Sequence, residues 1–162
     1  MTVDPNQLKS NEFLNLEDLQ IGQRFVSGTQ SIDEEQIKAF ASQFDPQPFH
    51  LDETAAKNSF FGGLVASGWH TAAVTMRLMV DHGVPIAGGL VGAGAEISWP
   101  KPTRPGSVLH VESEIIDLKA SRSRPDRGIA TIRSETRDQS GDVVQILVAK
   151  LIVLRRTPLA SE

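Results

Sequence analysis

Asp45 and His50, two side chains able to move protons near neutral pH, stand five positions apart with Pro46 and Pro48 between them. Each proline fixes its own φ and biases the residue before it towards an extended conformation. The sequence therefore predicts Asp45 and Gln47 as extended, in a stiff segment that holds a carboxylate and an imidazole at one spot at little entropic cost. Downstream, Phe60-Phe61-Gly62-Gly63 reads as a turn. Ser67-Gly68-Trp69-His70 then opens an apolar helix whose first N–H groups lack intrahelical acceptors and suit an anion. An acid, a base and an anion site in one short stretch fit addition or elimination next to a carbonyl. Taken singly, an Asp-Pro pair is commonly a turn, and a histidine beside Phe49 and Leu51 is commonly a packed, hydrogen-bonded residue. The order of the whole stretch is what points to chemistry. A metal site built from Asp45, His50 and Asp52 is the weaker alternative, because their spacing supplies no familiar set of three ligands.

The elements that must position these residues follow from periodicity. Ser31 or Asp33 can cap a helix whose Glu34 and Glu35 suit the positive end of the dipole. Ile37, Phe40 and Ala41 are spaced for one apolar face, and Pro46 ends that helix just past Asp45. Glu53 to Asn58 has room for a turn or two of helix. The longest helical candidate runs from Ser67 to His82, apolar over most of its circumference and so expected to be buried, with Gly83 and Pro85 as its stop. His82 reads as structural, near the negative end of the helix dipole. His70 is open between packing and substrate contact.

After this helix the apolar period changes to that of a strand. Arg24 to Thr29 has strand character ahead of the helices. Behind them come a Gly-rich segment that becomes strand-like from Ala95 to Trp99, then alternating runs over 108–118 and 128–137. The alternation places His110 on the surface. Residues 143–154 are apolar on both faces apart from Gln145 and Lys150, and are expected as a central strand covered on both sides. One strand, helices, then four antiparallel strands imply an α+β domain in which a curved sheet wraps the one apolar helix.

Composition narrows the functional classes. At 162 residues, 40% hydrophobic and 22% charged, the chain suits one globular domain with a real core. We divide it into an arm over 1–15, a single domain over 16–156 and a tail over 157–162. A net charge of −4 argues against nucleic acid as a partner. The absence of cysteine excludes disulfides, thiolate chemistry and Cys-based zinc sites. No basic region followed by an apolar run opens the chain, and no stretch has the roughly 20 apolar residues a bilayer span needs. A cytoplasmic protein without a membrane partner is the expectation.

The stretch Asp45-Pro46-Gln47-Pro48-Phe49-His50, followed by Ala55-Ala56-Lys57, Phe61-Gly62-Gly63 and Ala66-Ser67-Gly68, resembles the signature of the MaoC-like dehydratases, the (R)-specific enoyl-CoA hydratase family. The likeness runs from about Leu16 to Leu154. It implies the hot-dog fold, reversible addition of water to a trans-2-enoyl-CoA, and no metal or organic cofactor. It places the family's catalytic pair on Asp45 and His50, and its oxyanion donor on the Gly68 N–H. Pro48, Ser67 and Trp69 fall against the substrate. Gln47 departs from the usual Asn, Ser67 from the commoner His, and Met76 replaces a hydroxyl that some members carry. Two rivals stand beside the hydratase: a hot-dog thioesterase and a non-catalytic acyl-CoA-binding subunit. Ser67 to Val80 holds no carboxylate of the kind a thioesterase of this fold places on its helix. CoA phosphates need local cations, which Lys119, Arg122, Arg124 and Arg127 supply most densely, and Lys101 and Arg104 next. An exposed sheet edge, finally, predicts a homodimer or larger homo-oligomer.

Overall fold

The computed structural model describes residues 2–3 and 13–156. Its elements in order are β1 (Thr2–Val3), a 3-10 turn (Leu16–Asp18), β2 (Arg24–Val26), β3 (Gln30–Ile32), α1 (Glu34–Phe44), α2 (Pro48–Leu51), α3 (Glu53–Lys57), α4 (Gly68–His82), β4 (Val91–Ser98), β5 (Ser107–Ala120), β6 (Arg127–Arg137) and β7 (Val143–Leu154). The sheet order is β1-β2-β5-β6-β7-β4, with β3 also on β5. Every neighbouring pair is antiparallel except β1 with β2. Of the arm, Thr2 and Val3 pair with Arg24 and Phe25, and Leu14 bridges to Ile86. The tail over 157–162 lies outside the described residues.

The alternation read from the sequence decides which face is inside. Leu109, Val111 and Ile115 of β5, with Ala130 and Ile132 of β6, are buried against the apolar side of α4, where Val74, Leu78 and Met79 face them. Each of these Val, Leu, Ile and Met side chains contributes about 2 kcal/mol on leaving water, and Ala130 less. The polar alternates point outward and pair across strands, as Arg137 does with Glu112 and Arg24 with Glu114. A curved antiparallel sheet wrapped over one long helix is the hot-dog arrangement.

Several expectations need correction. Gln47 is extended as expected (φ −90°, ψ 146°), but it is the N-cap of a helical turn over Pro48–Leu51 that the sequence does not predict, with Pro48 at the first helical position where its missing N–H costs nothing. Asp45 has ψ 67° and is the C-cap of α1. Asp33, not Ser31, caps α1, accepting from the Gln36 N–H at 2.8 Å. Of the predicted strand over Arg24 to Thr29 only Arg24–Val26 forms, as β2; β3, not predicted from the sequence, follows at Gln30–Ile32, and both pair with β5. α4 is not buried all round: Trp69, Met76 and Val80 form an exposed stripe, with Met76 on the side that meets β4 and β7. The outer face of β7 is half-exposed, while Gln145 is fully buried on its inner face.

Candidate active site

α1 carries the chain to Asp45, whose N–H donates to the Ala41 carbonyl at 2.9 Å and closes the helix. The turn α2 then directs His50 inward. The His50 N–H donates to the Gln47 carbonyl at 3.0 Å, and the side chain is buried. A reciprocal clamp holds it: the Val65 N–H donates to the Phe49 carbonyl at 3.2 Å, and His50 Nδ1 lies 2.6 Å from the Val65 carbonyl. His50 Nε2 lies 3.1 Å from Asp45 Oδ2.

A carbonyl oxygen only accepts, so Nδ1 carries a proton. In a neutral imidazole Nε2 then presents a lone pair, yet it faces a carboxylate oxygen. Two acceptors so placed are satisfied by one shared proton, or by a water that donates to both. The geometry suits a pair that shares one proton. Burial acts most strongly on Asp45, pushing its pKa up. The Ser67 hydroxyl, the Gln47 amide and the His50 ring together outweigh it, so the carboxyl is held below its ordinary range. Gln47 Nε2 donates to Asp45 Oδ1 at 2.6 Å, so the departure from Asn keeps a donor on the carboxylate. With its side chain only 16% exposed, Asp45 is covered, but by donors.

Ser67 is the N-cap of α4, its hydroxyl oxygen accepting from the Trp69 N–H at 3.2 Å. The Gly68 N–H, the first of the helix, donates to none of the described residues. A Cβ on Gly68 would sit 2.7 Å from the Trp99 ring, so a close ring, not a positive φ, demands glycine here. Asp45, His50, Gly68 and Trp69 share a cleft of about 600 Å³ with Trp99 and Arg104. Sequence reasoning missed Trp99 as a wall of this cleft, and missed the hydroxyl pair Thr71 and Thr103, 2.9 Å apart at its base. The strand alternation that puts Ile97 inward carries on to Trp99 and was the available signal.

The remaining candidates are placed as follows. Pro48 starts α2 beside the cleft wall residues Gln47 and Phe49. Lys101 and Arg104 line the cleft; Lys101 pairs with Asp142 at 2.9 Å, and an Arg104 nitrogen donates to the Phe61 carbonyl at 2.7 Å. Arg122 and Arg124 lie in the β5–β6 turn, at the opposite end of β5 from Arg104, so one chain does not bring them to this cleft. His70 is buried and stacked on Phe40 (ring centroids 4.6 Å apart), behind the residues that line the cleft; burial lowers its pKa, and Nδ1 has no hydrogen-bond partner among the described residues. His82 is exposed at the end of α4, and His110 lies 3.1 Å from Glu112 on the outer face. The Met76 side chain is exposed on the α4 stripe, outside this cleft.

The model of the MaoC like domain matches residues 18–137. A crystal structure of the MaoC-like dehydratase from Rhodospirillum rubrum is 58% identical, with a TM-score of 0.87 over 89% of this chain and 99% of that one. An uncharacterized protein of Bacillus subtilis, YdeM, is 31% identical over 87% of this chain and 98% of its own. The (R)-hydratase PhaJ1 of Pseudomonas aeruginosa, at 24% identity, shares the fold with a TM-score of 0.68 over 91% of this chain and 92% of that one. No helix among the described residues is long and apolar enough to cross a membrane.

Proposed function

The chain belongs to the MaoC-like domain family, and on that footing we propose that it is an acyl-CoA hydratase/dehydratase, reversibly adding water to a trans-2-enoyl-CoA to give an (R)-3-hydroxyacyl-CoA. The observation that carries the reading is the Asp45–His50 pair, 3.1 Å apart and facing the start of α4 across the same cleft. Water is a poor nucleophile at neutral pH and needs a base. A water donating to both His50 Nε2 and Asp45 would be oriented and activated at once. As its oxygen bonds to the β-carbon, charge moves to the thioester oxygen, where the Gly68 N–H and the positive end of α4 meet it. Such a donor is worth about 3 kcal/mol. The proton taken from water returns through the pair to the α-carbon. No metal or organic cofactor enters this scheme.

CoA phosphates would meet Lys101 and Arg104 at the cleft, with Arg122 and Arg124 supplied by a second copy in a homodimer. A cytoplasmic location suits a CoA ester substrate. Against a thioesterase, the acidic residue of α4 is Asp81, which pairs with Arg77 at the far end of the helix. The test is an absorbance assay of enoyl-CoA hydration with Asp45→Asn and His50→Ala. Each should lower kcat by about 10²–10⁴, and the double variant should be little worse than the poorer single one, since members of one unit do not add. Near-native hydration by either folded single variant would refute the assignment.

A further inference from the structure

Gln145 is the lone polar residue on the inward face of β7, where Leu147, Ala149, Leu151 and Val153 follow it, and it is 0% exposed. An amide buried there is costly unless it is hydrogen-bonded. Both of its ends are engaged: Oε1 accepts from Trp99 Nε1 at 3.0 Å, and Nε2 donates to Thr75 Oγ1 at 3.1 Å. Thr75 is fixed in turn, donating to the Thr71 carbonyl at 2.9 Å and lying 2.6 Å from the Thr136 hydroxyl. A leucine would fill this position as well, but only a hydrogen-bonding side chain fixes the indole of Trp99 in one orientation.

That orientation divides two cavities. Trp99 lines the catalytic cleft and lies against Gly68. Gln145 lines a second, largely apolar groove of about 350 Å³, bounded by Ala72 and Met76 of α4, Ile97 of β4, and Leu147 and Ala149 of β7. The hydrogen-bonded pair is thus the partition between them. Because Trp99 lies against Gly68 in the cleft that holds His50, an acyl chain with its β-carbon at His50 and its thioester oxygen at Gly68 would have this partition as a wall.

We infer that Trp99, held by Gln145, is the specificity-determining wall of the acyl site, confining the enzyme to short-chain 2-enoyl thioesters and shutting longer chains out of the groove behind it. The inference rests on the hydratase reading and adds the substrate class. Gln145 acts through Trp99 and is a positioning residue.

The experiment compares crotonyl-CoA with trans-2-octenoyl-CoA as substrates. The wild type should favour the short ester. Trp99→Ala should raise the octenoyl-to-crotonyl ratio of kcat/KM by at least about tenfold, the scale on which a few methylenes entering an apolar pocket discriminate. Gln145→Met, which keeps the bulk but frees the indole, and Trp99→Phe should give smaller shifts in the same direction, seen as a lower KM for the long ester. Should no enoyl thioester be hydrated, the hydratase reading falls. The wall is then read from the relative Kd of butyryl- and octanoyl-CoA in the same variants, where Trp99→Ala should again favour the longer chain. A wild type that takes both chain lengths equally overturns the inference, as does an unchanged ratio in folded Trp99→Ala. If Trp99→Ala does not fold, unchanged ratios in both Gln145→Met and Trp99→Phe overturn it.

Discussion

Asp45 is surrounded by donors, and that has a consequence separable from turnover. Its folded-state pKa lies below its ordinary value because Ser67, Gln47 and His50 outweigh the opposing effect of burial. The folded state therefore favours the carboxylate, and Asp45 contributes stability that is fully present above the ordinary carboxyl pKa. That contribution is lost as pH falls through the lowered value. Asp45→Asn cannot titrate. The stability gap between wild type and Asp45→Asn should be constant from neutral pH down to about pH 5 and should close below about pH 4. Urea unfolding across that range measures it; a gap that widens on acidification would show that the donors do not favour the ionised form. Ser67→Ala removes one donor from Asp45 and the cap of α4 together. It should cost about 1 kcal/mol of stability and move the acid limb of the kcat/KM profile to higher pH.

At the level of elements, the site depends on how α4 starts. The three closest approaches to a Cβ added at Gly68 all come from the Trp99 ring. Gly68→Ala should therefore displace either the indole or the first turn of α4, and with it the N–H proposed as oxyanion donor, for a loss of about 10² in kcat on crotonyl-CoA. Trp99→Ala in the same chain should restore a large part of that loss; no restoration would mean that the clash is not what Gly68 avoids. Much of this architecture was legible beforehand, because the signals were local. The period of α4, the alternation of β5 and β6, and the order Asp45, His50, Ser67, Gly68 each lie within one element or one short stretch. What was not legible depended on partners distant in sequence. Gln145 looked like a polar interruption of an apolar strand, and only Trp99 and Thr75, from two other elements, make it a hydrogen-bonded partition. His70 could not be placed until α1 put Phe40 against its ring. Thr75→Val tests the buried network directly. It leaves Gln145 Nε2 and the Thr136 hydroxyl short of a partner, and should cost about 1–3 kcal/mol in urea unfolding.

For the whole molecule, the proposed homodimer needs a surface on which two copies can meet. Trp69, Met76 and Val80 are 59%, 46% and 61% exposed along α4. Beside them β4 pairs with β7 on one side and, among the described residues, has no partner on its other edge, its residues largely exposed. An apolar stripe next to an open edge is a surface that proteins cover. A twofold axis that brings two α4 stripes together on the same side of the sheet must be perpendicular to it, so the two β4 strands meet antiparallel. β4 runs towards Trp99 and the cleft, and β5 runs away from the cleft to the turn that holds Arg122 and Arg124. Antiparallel pairing therefore puts each chain's β5–β6 turn at the catalytic end of its partner. Met76→Glu with Val80→Glu should produce monomers in sedimentation; a dimer that survives both charges would place the interface elsewhere. Arg122→Glu with Arg124→Glu should raise KM for the CoA ester with little change in kcat, since nucleotide binding is the same in ground and transition states. A mixed dimer separates the two chains' contributions. One chain carries Asp45→Asn and intact arginines, the other carries intact Asp45 and the reversed arginines. If the arginines serve the partner's cleft, the surviving site should work at about half the dimer's rate with the wild-type KM. A KM as high as that of the reversed homodimer would mean that the arginines act within their own chain.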